Sequence, residues 1–224
     1  MPRPEFFRSV GLFILDAFLQ PAQCARLRTE MWRAPSQQGL VFGNTPEGVV
    51  DKSIRQVLRT KVEGSAEQFV KECLERQRPS FEEHFGIFLQ PGPSTEFLTY
   101  NSGGFYIPHT DAGRTNESHH RRVSIVIFLN EESDEPKPNC YGGGKLTFHG
   151  ILNDGEWVNC AFPIDSHPGL LVAFRPDVVH EVTPVTFGQR FTIVSWFFAA
   201  AIPKEKTTFS SRGAEKEAEL QNCK

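Results

Sequence analysis

The feature that most constrains the fold is a change of character after the turn sequence QPGPS at 90–94. From there the chain is a series of short runs rich in β-branched and aromatic residues: Phe97–Tyr100, Val123–Leu129, Lys145–Phe148, Leu170–Phe174 and Phe191–Phe198. Clusters of Gly, Pro, Asn and Asp separate them. Short strands at close spacing with turn signals between them indicate a sandwich, barrel or jelly roll rather than alternating βα units. The twenty Phe, against three Tyr and three Trp, suit such an interior. Phe fills volume and brings no polar atom that needs a partner.

The first ninety residues read differently. The stretch from Val10 to Met31 reads as a short strand, then Asp16 and Pro21 around a helix start, then Cys24, Leu27 and Met31 at helical spacing. Residues 35–50 lack a period and read as loop with one strand near Leu40–Phe42. From Ser53 to Phe85, Ile54, Val57, Leu58, Val62, Phe69, Val70, Cys73 and Leu74 fit two amphipathic helices. The expected arrangement is mainly β with supporting helices: one domain over 1–203, with 1–90 mainly helical and 91–203 the β core. The charged tail 204–224 lies outside it. The irregular stretches Ala112–His120 and Glu131–Gly143 are long for a compact domain, which marks them as functional or disordered.

Several function classes are disfavoured. A net charge of -3 and a pI near 6.2 give no basic excess for nucleic acid. The five cysteines, Cys24, Cys73, Cys140, Cys160 and Cys223, are scattered without CxxC spacing and read as reduced structural thiols. The Val10–Leu19 run is too short to span a membrane, so no membrane partner and a cytoplasmic location are expected.

Chemistry concentrates in two segments. YIPHTDAG sets His109 and Asp111 two apart, which on an extended strand sends both side chains to one face. PDVVHEVTPV carries His180 at the end of a later apolar run, which an antiparallel jelly roll brings beside the first pair. Two imidazoles and a carboxylate on one face of an octahedron are the ligand set of non-haem iron sites with open positions. Taken singly, an HxD pair also describes an exposed polar pair. Arg190 adds a separate signal, because it opens the buried-reading strand RFTIVSWFF, where a guanidinium needs a carboxylate partner. A dicarboxylic keto acid offers one through bidentate hydrogen bonds.

These segments resemble the prolyl 4-hydroxylase-like branch of the iron(II)/2-oxoglutarate-dependent oxygenases. The resemblance runs from about Phe97 to Phe198 and rests on YNSGGFYIPHTD, RRVSIVIFLN, YGGGKLTF and GLLVAFRPDVVHEVTPVTFGQRFTIVSWF. It implies a double-stranded β-helix, a jelly-roll, cupin-like core. It also implies His109, Asp111 and His180 as iron ligands and Arg190 as anchor of the distal carboxylate of 2-oxoglutarate. Tyr100, Thr192 and Ser124 offer hydroxyls toward that cosubstrate; the alternative for Thr192 and Ser124 is a strand hydroxyl satisfied by backbone. The chain departs from some members in having Phe128 where they carry a core-strand Tyr.

The cofactors implied are Fe(II), 2-oxoglutarate and O2, with ascorbate as an accessory reductant. The implied reaction is hydroxylation of an unactivated carbon coupled to decarboxylation of 2-oxoglutarate to succinate. Asp111 favours hydroxylation over halogenation, because related halogenases carry a small residue there. Peptidyl-proline is the expected substrate, with a free amino acid or secondary metabolite as the small-molecule alternative and a non-catalytic jelly-roll binding module as a third reading. The sequence leaves oligomeric state open. Trp196 shares the face of Arg190 and reads as pocket wall or core packing, and Arg175 and Asp177 read as an ion pair. His84, His149 and His167 lack ligand spacing and read as structural, and His119 and His120 sit in a polar loop with Arg114, Arg121 and Arg122.

Overall fold

A computed structural model describes residues 4–41, 47–113, 118–151 and 160–200. In chain order its first elements are α1 (Pro4–Ser9), β1 (Leu12–Leu15), α2 (Pro21–Arg33), β2 (Ser36–Gln38), β3 (Arg55–Gln56), β4 (Leu58–Thr60) and α3 (Ser65–Phe85). The strands β5 (Ser94–Asn101), β6 (Phe105–His109), β7 (Arg121–Phe128), β8 (Glu131–Glu132) and β9 (Cys140–Gly143) follow. The last are β10 (Leu146–His149), β11 (Ala161–Ile164), β12 (Leu171–Phe174), β13 (Val179–Val182) and β14 (Val185–Phe198).

Two sheets, antiparallel apart from the β8–β9 pair, face each other. The major one runs β1-β12-β7-β14-β5-β4-β2, with β9 on the early part of β14 and β8 beside it. The minor one runs β11-β10-β13-β6-β3. The long strand β14 shows how the layers arise. Phe191, Ile193 and Phe197 pack outward with α2 and α3, while Arg190, Val194 and Trp196 line the space between the sheets. That is the two-residue alternation of a pleated strand buried on both faces. On the outer face Cys24, Leu27 and Met31 of α2 and Val70, Leu74 and Phe81 of α3 are all buried. Each fully buried aliphatic or Phe side chain contributes about 1.5–3 kcal/mol. The helices therefore act as a lid on the major sheet.

The expected β core and the strand-to-helix start are both present, and every expected β run overlaps a strand. Three expectations need correction. Residues 53–85 hold one helix, α3, preceded by β3 and β4. Ile54, Val57 and Leu58 fit a helical period, but β4 pairs with β5 and β3 with β6, and sheet edges captured this segment. For the same reason the first ninety residues are only partly helical. The stretch 131–143, expected to be irregular, contains β8 and β9. In the 35–50 region, Val41 forms a bridge with Val49, and β2 lies just before it. Phe42, the tail 204–224 and Cys223 lie outside the described residues. Cys24, Cys73, Cys140 and Cys160 are free thiols. Among the described residues no helix is long and apolar enough to cross a membrane.

Close backbone approach fixes β9 against β14 next to the interior. Gly188 has φ +71°, and a Cβ there would lie 2.3 Å from the Cys140 carbonyl oxygen. Both the left-handed backbone and the contact exclude a side chain. Gly188→Ala should lower unfolding free energy by about 2–4 kcal/mol. Urea denaturation measures this, and a loss below about 0.5 kcal/mol would show that the strand pair relaxes freely.

Candidate metal and cosubstrate site

Antiparallel pairing of β13 with β6 places His180 opposite His109, and their ring centroids are 4.2 Å apart. Asp111 lies just past the end of β6, so strand alternation alone does not aim it. The backbone N–H groups of Asp111 and Ala112 both donate to the Pro176 carbonyl, at 2.9 Å each. That clamp turns the chain and brings the carboxylate in. Asp111 Oδ1 lies 3.9 Å from His109 Nε2, and Asp111 Oδ2 lies 3.9 Å from His180 Nε2. One ligand atom from each of the three residues falls within 4.8 Å of the others.

The imidazoles are prepared for this geometry. His109 Nδ1 donates to the Ile107 carbonyl at 2.8 Å, and His180 Nδ1 donates to the Val178 carbonyl at 3.0 Å. A carbonyl accepts only, so each bond sets the tautomer that leaves Nε2 with a free lone pair toward the cluster. Tyr106 stacks on His109 at 3.5 Å, and Phe174 packs edge-on to His180 at 4.7 Å. Trp196 Nε1 donates to Asp111 Oδ2 at 2.9 Å, while Arg121 lies over the Trp196 ring at 3.8 Å. Trp196 thus walls the pocket and also holds the carboxylate, a role that no local pattern signals.

Electrostatics agree with the geometry. Burial, and then the neighbouring His180, push the pKa of His109 down to about 3. Burial alone would raise the Asp111 carboxyl, but His180, His109 and hydrogen bonding from Trp196 hold it below its ordinary range. The Ser124 hydroxyl, buried and without a well-formed hydrogen bond, adds to that lowering. Burial pushes the Tyr106 phenol up to about 12. With His109 held neutral and Asp111 held ionised, the cluster offers imidazole nitrogens and a carboxylate, the donor set that a divalent transition metal takes.

Arg190 shares a pocket of about 240 Å³ with this cluster. As its place in a buried-reading strand implies, it is only 1% exposed. Its Nη1 donates to Thr192 Oγ1 at 3.2 Å, and Tyr100 and Phe128 present ring faces at 5.1 Å. Among the described residues Nε and Nη2 make no well-formed hydrogen bond, and the Tyr141 side chain is near enough to interact with the guanidinium. A buried guanidinium with two unused donors is costly unless an anion arrives, and a carboxylate is the matching shape. Of the expected cosubstrate residues, Tyr100 and Thr192 gather at Arg190. Ser124 does not: it pairs across the sheet with Trp196, at the Asp111 end of the pocket.

Other expectations resolve as pairs. Arg175 and Asp177 bond at 2.9 Å, His149 meets Glu181 at 3.0 Å and His167 meets Asp16 at 3.2 Å. Part of the 112–120 loop, including Arg114, lies outside the described residues. Arg55, on Tyr106 at 4.8 Å, and Tyr141 near Arg190 are site neighbours that sequence reasoning missed. For Tyr141 the only sequence cue was its place before the Gly-Gly-Gly turn.

Residues 95–198 match the family model described as the 2OG-Fe(II) oxygenase superfamily. A PKHD-type hydroxylase of Maricaulis maris is 29% identical over 168 residues, covering 71% of this chain and 67% of that protein. A solved Pseudomonas putida prolyl-4-hydroxylase superposes with a TM-score of 0.67 at 22% identity, covering 88% of this chain and 97% of that one. A Trichoplax adhaerens prolyl hydroxylase, solved with a hypoxia inducible factor oxygen degradation domain peptide, gives 0.64 at 19% identity, covering 87% and 86%.

The depressed His109 pKa has a direct consequence. An unfolded chain protonates this histidine near pH 6.5 and the folded chain only near 3. Between those values the unfolded chain binds more protons, so stability falls as pH drops through the window. The metal-free protein should therefore lose stability from about pH 6.5 toward 3, and His109→Gln should lose less. Thermal melts across that range decide it: parallel pH profiles for the two proteins would contradict a buried neutral His109.

Proposed function

We propose, from the match of residues 95–198 to the 2OG-Fe(II) oxygenase superfamily model, that this chain is an oxygenase of that kind and hydroxylates a prolyl residue of a peptide or protein, converting 2-oxoglutarate to succinate. One observation carries the reading: Arg190 is buried with two guanidinium donors unused in the same pocket as the His109, Asp111 and His180 cluster. A metal site alone gives no reason to bury that charge. A keto diacid does, because it would offer a carboxylate to Arg190 and a chelating keto acid group to a metal held in the same pocket.

The residues fit both groups. His109, Asp111 and His180 would hold the iron, offering two imidazole nitrogens and a carboxylate oxygen. Iron with its cosubstrate supplies the oxidising chemistry: substrate C–H, O2 and 2-oxoglutarate become substrate C–OH, succinate and CO2. The chain's own part is orientation and shielding. Trp196 donates to Asp111 Oδ2, so Oδ1 is the carboxylate oxygen that would be offered to a metal. Tyr106, Arg121 and Trp196 form the wall beside the metal ligands, where aromatic faces suit a pyrrolidine ring. The proline preference also rests on the solved prolyl hydroxylases of the same fold.

The free amino acid alternative draws on Glu96 and Arg121, which both line the pocket. A zwitterion needs such a pair. However, Glu96 is already bonded to Arg59 at 3.2 Å, and Arg121 is spread over Trp196. A prolyl residue within a peptide requires neither charge and is the better match.

The test is succinate formation with Fe(II), 2-oxoglutarate and ascorbate, together with mass spectrometry of a peptide and metabolite panel for gain of one oxygen. Turnover should require iron, and a proline-containing peptide should gain the oxygen. His109→Ala and Asp111→Ala should abolish turnover. Arg190→Ala should raise the KM for 2-oxoglutarate by about tenfold to several hundredfold, the cost of losing charged hydrogen bonds. Oxygen gained only by free amino acids would overturn the peptide reading, and an unchanged KM would remove Arg190 as anchor.

A further inference from the structure

The core strand β7 presents Phe128 to Arg190, so the aromatic side chain nearest on that strand brings no hydroxyl. Tyr100 meets the guanidinium with its ring face. A carboxylate bound to Arg190 through two N–H groups still has lone pairs to satisfy, and in a buried site an unmet acceptor is costly.

We propose that Tyr141, reaching in from β9 and backed by Ser166, donates the additional hydrogen bond to the distal carboxylate of 2-oxoglutarate that Phe128 has no hydroxyl to give. The proposal rests on the reading of this pocket as a 2-oxoglutarate site. Tyr141 is completely buried and packs in the interior cluster with Leu98, Tyr100 and Val185. Its hydroxyl lies 2.5 Å from Ser166 Oγ, which is also buried.

Either oxygen of that pair can donate, and this gives the arrangement its use. With no anion, the phenol proton points to Ser166. When a carboxylate occupies the Arg190 end, Ser166 turns to donate into the phenol oxygen, and the phenol proton is released toward the carboxylate. Burial raises the Tyr141 pKa while Arg190 opposes the rise, so the phenol keeps its proton at neutral pH and remains a donor. A buried phenol beside a cation turns its lone pairs to the charge, and the proton is best placed on an anion or a second hydroxyl.

The Gly-Gly-Gly turn keeps the two side chains together. A Cβ on Gly144 would lie 3.0 Å from Arg190 Cδ and 3.4 Å from Tyr141 Cε2, at a φ of +60°. Both side chains therefore converge over this one residue. The turn reads as more than a sheet corner: it is the floor on which the cation and the phenol meet.

Calorimetric titration of 2-oxoglutarate into the Mn(II)-loaded protein tests this without turnover. Tyr141→Phe should weaken 2-oxoglutarate binding about 10- to 100-fold and leave Mn(II) affinity and melting temperature near wild type. Adding Phe128→Tyr to Tyr141→Phe should recover binding, because it brings a hydroxyl from β7 to the carboxylate held at Arg190. In turnover, the KM for 2-oxoglutarate should rise with little change in kcat. Binding by Tyr141→Phe within about twofold of wild type overturns the proposal. Should that variant melt too low to load, Ser166→Ala carries the same comparison, with weakened binding expected and unchanged binding fatal. A wild-type protein that ignores 2-oxoglutarate removes the site reading itself, whereas equal binding by wild type and Tyr141→Phe removes only the role of Tyr141.

Discussion

A positive charge sealed inside an apolar layer is the constraint around which this molecule is arranged. Arg190 sits on the longest strand, between two sheets, at 1% exposure. Removing a guanidinium from water without a counter-ion costs several kcal/mol after relaxation. The fold offsets part of this with Thr192 and the faces of Tyr100 and Phe128 and leaves the rest unmet. The unmet remainder is binding capacity. A pocket that places it beside two imidazoles and a carboxylate selects a ligand that is anionic at one end and metal-chelating at the other.

The metal end depends on a different kind of control, in which backbone directs side chains. Each histidine is oriented by the carbonyl two residues before it, and Asp111 is turned inward by the Pro176 carbonyl. These bonds belong to the sheet and its connections, so the ligand atoms are set by the same forces that build the fold. Trp196 adds a side-chain bond to Asp111 and belongs to the same strand as Arg190. β14 thus supports both ends of the pocket, six residues apart on one face. Registering this strand correctly aligns the cosubstrate anchor with the metal ligands in one step.

What was legible in the sequence depended on how local the signal was. The apolar runs from Phe97 onward, the helix of Cys24, Leu27 and Met31, and the residues His109, Asp111, His180 and Arg190 all stood out. The runs and the helix did so through period two and period 3.6, Arg190 as a charged group in an apolar strand, and the two histidines and Asp111 through the resemblance of the motifs that carry them. The misreadings have equally specific causes. Ile54, Val57 and Leu58 satisfy a helical period over so few residues that pairing with β5 and β6 outweighs it. Ser124 shares a strand with Phe128, yet four residues along a strand separate opposite ends of a pocket. Arg55 carries no pattern and Tyr141 only its place before the Gly-Gly-Gly turn, since their meaning lies in what faces them.

By itself the sequence determined the residue types for two imidazoles, a carboxylate and a guanidinium, and the alternation that makes the second half of the chain a two-sheet core. Chemical identity and period are properties of single residues and near neighbours, so they survive in a linear string. Only the tertiary structure decided that His180 pairs with His109, that Trp196 holds Asp111, and that Arg190 is buried with unused donors beside Tyr141. Those relations join residues up to 85 positions apart through sheet pairing and packing. The same side chains in another register would leave the charge with a different neighbour and the ligands pointing away from one another.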